Sequence, residues 1–137
     1  MIKEKLRAIV AAKADQKYAV KMEMDTSAGI GSGLYNNSCH LNAVNAAMDG
    51  RAAGVVECIM INGGYATAHY INMLEDGKYK DFTLGWHYSG SDYRFVRHVP
   101  YTEWHKISDC LTALKKEMCL CVRRCMILFG MDEYDLC

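Results

Sequence analysis

Residues 54–84 read GVVECIMINGGYATAHYINMLEDGKYKDFTL, and the fold turns on them. The first nine, Gly54 to Asn62, are an almost unbroken apolar run rich in Val and Ile, the pattern of a strand buried on both faces. Gly63-Gly64 interrupts the run. Tyr65 to Leu74 then reads as a second strand and Lys78 to Leu84 as a third, with Glu75-Asp76-Gly77 as the hairpin turn between them.

The length of that turn decides which side chains share a face. A two-residue turn at Asp76-Gly77 pairs residue 75 with 78 and 69 with 84, which sends Asp81 to the side opposite His69. A three-residue turn pairs 74 with 78, 71 with 81 and 69 with 83. His69 and Asp81 are then diagonal neighbours on one face, about 7 Å apart at the backbone and within side-chain reach. Gly77 favours the second register, because it suits the left-handed position of a type I turn followed by a bulge.

Downstream, Asp92 to Val99 (DYRFVRHV) alternates as a fourth strand that Pro100 ends. Thr102 then caps a long helix over 103–129, whose apolar stripe runs through Trp104, Ile107, Leu111, Leu114, Met118, Cys121, Cys125 and Leu128. The acidic tail GMDEYDLC is expected to fray. Upstream, residues 2–17 form an amphipathic helix and 25–37, DTSAGIGSGLYNN, a loop. Ser38 caps a helix from Cys39 to Met48, stopped by Asp49-Gly50. Grouped strands flanked by helices imply α+β architecture, an antiparallel sheet with helices packed on one face, in one domain spanning 1–137.

Half of the 137 residues are apolar (51%), which supports a soluble globular core. Sixteen basic residues balance sixteen acidic ones, which argues against nucleic acid or an anionic membrane as the main partner. No apolar run approaches the roughly 20 residues that span a bilayer. The N-terminal stretch is broken by charges at helical spacing, unlike a signal peptide. The seven cysteines are odd in number, so free thiols in a reducing cytosol are expected.

Cys39 stands at a helix start after a glycine-rich loop. Unpaired N–H groups and the helix dipole there favour a thiolate, and the same groups can hold an oxyanion. A thiolate cannot itself protonate a leaving amine, so an acid/base is needed, and His69 on the neighbouring strand is the candidate. Asp81 is the group expected to orient it, with Asn72 in reserve. Asn37, Asn42 and Trp86 are candidate substrate contacts; the alternative for Asn42 is a hydrogen bond to the neighbouring loop, and for Trp86, with His87 and Tyr88, an ordinary surface loop. His40 is set aside because adjacent helical residues do not face each other. Cys119, Cys121 and Cys125 sit on one continuous helix, with Cys121 and Cys125 on its core stripe, so no metal site is expected. Gly29, Gly31 and Gly33 mimic a phosphate loop, but no Lys-Ser or Lys-Thr follows, and a loop bordering the site is the better reading.

Three stretches carry a family resemblance: SCHLNA at 38–43, HYIN at 69–72 and DGKYKDFTLGW at 76–86. Together they resemble the transglutaminase-like superfamily of papain-like thiol enzymes. Members often have a Cys at a helix start, a His on a strand in a pattern such as HAW, and an Asp before a Pro-Thr pair. Here the last element is Asp81-Phe82-Thr83, with Phe in place of Pro, and the aromatic after the His is Tyr70. Small bacterial and viral members carry C-x-x-N-A, matched by Cys39, Asn42 and Ala43. The resemblance covers residues 36–86. It implies a papain-like core with Cys39 as nucleophile, His69 as base and Asp81 as orienting acid, working without a cofactor. The expected activity is a thiol hydrolase acting on a peptide, amide or isopeptide bond of a protein or peptide substrate. A transglutaminase or acyltransferase with the same triad is the first alternative, and a non-enzymatic binding module the second.

Overall fold

The computed structural model describes residues 1–25, 33–85 and 91–137. Helix α1 (Ile2–Lys17) comes first, followed by α2 (Cys39–Met48). Strands β1 (Gly54–Asn62), β2 (Tyr65–Met73), β3 (Tyr79–Lys80) and β4 (Asp92–Val99) follow, and then α3 (Ile107–Met118), α4 (Arg123–Leu128) and α5 (Glu133–Leu136). The strands make one antiparallel sheet in the order β3-β2-β1-β4. The chain is therefore α+β. The apolar run of β1 takes the interior position, paired on both sides, and six consecutive residues of it are buried.

The two faces of the sheet are covered differently. Val55, Ile59, Ala66, Ala68 and Tyr70 point to the helices, where they pack with Leu6, Val10, Val44, Leu114 and Met118. By alternation Val56, Cys58, Met60 and Ile71 point the other way and form a smaller cluster with Tyr93. Residues 20–25 cross that second face as a strap. Phe95 N–H donates to the Val20 carbonyl at 2.8 Å and Tyr79 N–H to the Glu23 carbonyl at 3.1 Å, so the strap joins the two outer strands, with Met22 and Met24 beneath it.

The hairpin has the register of a three-residue turn. Asn72 faces Lys80, Met73 faces Tyr79, and Leu74 N–H bonds the Lys78 carbonyl at 2.8 Å. Gly77 has φ +85°, the left-handed conformation the turn requires. The third strand, however, ends at Lys80 instead of Leu84. Asp81 Oδ1 accepts the N–H groups of Thr83 and Leu84, both at 2.9 Å, and this local turn takes the backbone out of the sheet.

The expected helix over 103–129 is also divided. Tyr101–Lys106 and Leu120–Val122 are 3-10 turns, and Thr102 is not a cap: Pro100 leads directly into the first of them. A 3-10 turn rotates about 20° more per residue than an α-helix, so three such residues turn the buried stripe by about 60°. Between Met118 and Phe129 the buried residues are Cys119, Val122 and Met126, while Cys121, Cys125 and Leu128 are exposed. The tail does not fray. Asp132 caps α5 in a reciprocal box with Asp135, and Leu136 is buried against α1. No described helix is long and apolar enough to cross a membrane.

Candidate active site

Because β3 pairs with β2 only at Asn72 and Met73, the outer edge of β2 from Ile71 back to Tyr65 carries no strand among the described residues. The start of α2 packs against β2 and the turn after β3. Three sets of bonds place it there. Leu34 N–H donates to the Phe82 carbonyl at 3.0 Å and Tyr35 N–H to the Thr83 carbonyl at 2.8 Å. Asn42 Nδ2 donates to Asn36 Oδ1 at 2.7 Å and to Thr83 Oγ1 at 2.8 Å. Asn72 Nδ2 donates to the carbonyls of Ala43 and Gly54, tying α2 to β1. The approach at Gly33 is so close that a Cβ there would lie 2.5 Å from the Thr83 carbonyl oxygen.

Asp81 and His69 meet as the hairpin register allows. His69 Nε2 lies 2.7 Å from Asp81 Oδ2, and both residues are buried. The same carboxylate oxygen accepts the Tyr93 hydroxyl at 2.7 Å, while Oδ1 holds the two turn N–H groups. Burial alone would raise the Asp81 pKa, but the His69, Tyr93 and Leu84 hydrogen bonds hold it below the usual carboxylate range. With Nε2 engaged by Asp81, Nδ1 is the nitrogen left for the thiol.

Burial would raise the Cys39 pKa too. Hydrogen bonding from His40 and His69, the positive charge on His69 and the Tyr70 backbone N–H outweigh it, and the thiol falls to about 6. Burial would lower the His69 pKa, but Asp81 and Cys39 raise it to about 10. Both shifts run in the direction that favours a thiolate beside an imidazolium. Ser38 occupies the N-cap position of α2 without capping it; its hydroxyl turns back to the Asn36 carbonyl at 3.3 Å. Among the described residues no N-cap side chain takes up the first-turn N–H groups that flank the sulfur.

The sulfur and the imidazole line one cleft of about 330 Å3, with Asn37, Met60, Thr67, Thr83, Leu84, Leu111, Lys115 and Tyr134 among its walls. Asn37 is exposed on the rim, with φ +56°. Asn42 is buried with its amide engaged by Asn36 and Thr83, so its hydrogen bonds are those of a loop holder. Asn72 spends its amide on the Ala43 and Gly54 carbonyls, whereas the side chain hydrogen-bonded to His69 is that of Asp81. Trp86, His87 and Tyr88 lie outside the described residues, as do Gly29 and Gly31. No cluster of metal-ligating side chains occurs among the described residues, and Cys121 and Cys125 stand exposed instead of packing in the core.

Two residues at the site are not among the sequence candidates: Tyr93 is absent from them and His40 is set aside. Tyr93 reaches Asp81 from β4 across the intervening strands, and its ring centroid lies 6.2 Å from that of His69. Alternation puts Tyr93 on one face of its strand, but nothing in the sequence says which edge of the sheet that strand joins. His40, despite adjacency, is among the groups whose hydrogen bonding lowers the Cys39 pKa. The His40 Nδ1 is buried with no hydrogen-bond partner among the described residues.

No protein-family model, curated protein or solved structure matches the chain.

Proposed function

We propose that the chain is a cytosolic thiol hydrolase that cleaves an amide, peptide or isopeptide bond of a protein or peptide through an acyl-enzyme, as the resemblance to transglutaminase-like and papain-like enzymes implies. The observation that carries the reading is the His69–Asp81 pair at 2.7 Å in one cleft with Cys39 at the start of α2. The Cys39 thiolate attacks the substrate carbonyl carbon, and the developing oxyanion lies at the N-terminal N–H groups of α2. His69 Nδ1–H protonates the leaving amine as the C–N bond breaks, giving a thioester on Cys39. Neutral His69 then takes a proton from water, the hydroxide adds to the thioester, and the acid leaves as the thiolate and imidazolium are restored. Asp81 stays ionised throughout and holds the ring. No step calls for a cofactor.

An amine in place of water would make the same machinery an acyltransferase or transglutaminase. The test is a library of acyl-amide substrates incubated with the protein, with and without an added primary amine. Free acid as product supports hydrolysis, and the amine adduct transfers the reading to acyl transfer. If Cys39→Ala keeps the full biological activity of the protein, neither holds and a binding module takes their place.

A further inference from the structure

A second pair of sulfurs lies away from Cys39. Cys119 follows the last turn of α3 and Cys137 follows α5, and their Sγ atoms are 3.3 Å apart. A disulfide needs about 2.05 Å, so a small rotation of either side chain closes the gap. We propose that Cys119 and Cys137 form a redox-active dithiol that a low-molecular-weight disulfide, of the glutathione class, converts to a disulfide bond.

The two thiols differ in a way that orders the steps. Cys137 is partly exposed, so an oxidant in solution can reach its sulfur. Cys119 is buried and reachable only through Cys137 once the mixed disulfide has formed. Cys137 is thus the attacking thiol and Cys119 the resolving one. Cys137 thiolate attacks one sulfur of the oxidant, and the other leaves as a thiolate. Cys119 then attacks the Cys137 sulfur of the mixed disulfide, and the second small thiolate leaves. The two protons of the protein thiols pass to the two released thiolates, so one small disulfide is reduced for each protein disulfide formed.

The bond would make covalent a contact now held by weaker ones. Lys115 Nζ donates to the Cys137 main-chain oxygen and sits 4.9 Å from the Tyr134 ring centroid. The Thr112 and Tyr134 hydroxyls are 2.9 Å apart, and Arg7 Nε donates to the Asp135 carbonyl at 3.1 Å. Lys115 and Tyr134 also line the Cys39 cleft, so the bond fixes one of its walls. The dithiol chemistry itself does not depend on what that cleft does.

The experiment incubates the folded protein with oxidised glutathione, quenches with acid and maps the peptides without reduction. Cys39→Ala protein is run beside the wild type, so that a reactive Cys39 cannot mask the result. The expected product is a Cys119–Cys137 cross-linked peptide with a mass loss of about 2 Da, a higher melting temperature and reversal by dithiothreitol. Cys119→Ser should stop at a glutathione adduct on Cys137. Adducts gathered on the exposed Cys121 and Cys125, with no cross-link in either protein, would overturn the proposal. So would a cross-link formed equally fast in urea, since proximity in the fold is its cause.

Discussion

Asp81 has all its acceptor capacity in use: His69 and Tyr93 share one oxygen, and two backbone N–H groups share the other. It is a turn former and a charge partner at once, and its replacement separates the roles. Asp81→Asn keeps the shape, so the local turn should survive, but a neutral amide cannot support a charged His69. Stability should fall by about 1–3 kcal/mol in urea titrations at pH 7. The pH dependence follows from the sign of the shift. The folded pKa is depressed, so Asp81's contribution is full above its ordinary range near pH 4 and is lost as pH falls from there through the lower folded value. The wild type should weaken over that acid window, and Asp81→Asn should weaken less. Tyr93→Phe removes a single bond to Asp81 and should cost about 1 kcal/mol in the same titrations. An unchanged profile in both variants would mean that Asp81 is not ionised in the fold.

At the scale of elements, two glycines test two different constraints. Gly77 has positive φ but open space around it, so the penalty there is conformational. Gly77→Asn should be nearly neutral, because Asn tolerates the left-handed region, while Gly77→Val should cost about 1–3 kcal/mol in thermal melts. Gly33 is limited by space, with backbone atoms of Thr83 and Leu84 within 2.6 Å of a built Cβ. Gly33→Ala and Gly33→Asn should therefore both destabilise by about 1–3 kcal/mol and slow reaction at Cys39. The contrast marks what was legible. Gly77 announces itself through local turn chemistry, and with it came the register that joins His69 to Asp81. The limits of α1, α2, β1 and β4 were legible in the same way, from periodicity and from the Gly and Pro residues that interrupt it. Gly33 depends on a neighbour fifty residues away, which no local pattern encodes. The early end of β3 was hidden for a related reason: Lys78 to Leu84 has strand composition, and the side chain that breaks the strand is the same Asp81 that serves the site.

The whole molecule shows why the second half was harder to read. A single amphipathic stripe fits residues 103–129 well, yet the chain breaks it twice to follow the helical face of the sheet, and α5 returns Leu136 to the cluster around α1. Leu136→Ala should cost about 2–4 kcal/mol in urea titrations; a value near zero would mean that α5 is not part of the core. The site is likewise a product of the complete fold, since α2, β2, the turn after β3 and β4 each supply one of its polar groups. Its most direct test is the rate of Cys39 alkylation by iodoacetamide as a function of pH, resolved by peptide mapping and compared with the other six cysteines. In the folded protein the rate should rise with an inflection near pH 6, ahead of the other thiols. In His69→Ala the rate at pH 6 should fall by roughly tenfold or more. An inflection at the ordinary thiol value of about 8.5, unmoved by His69→Ala, would contradict the activated thiol on which the proposed function rests.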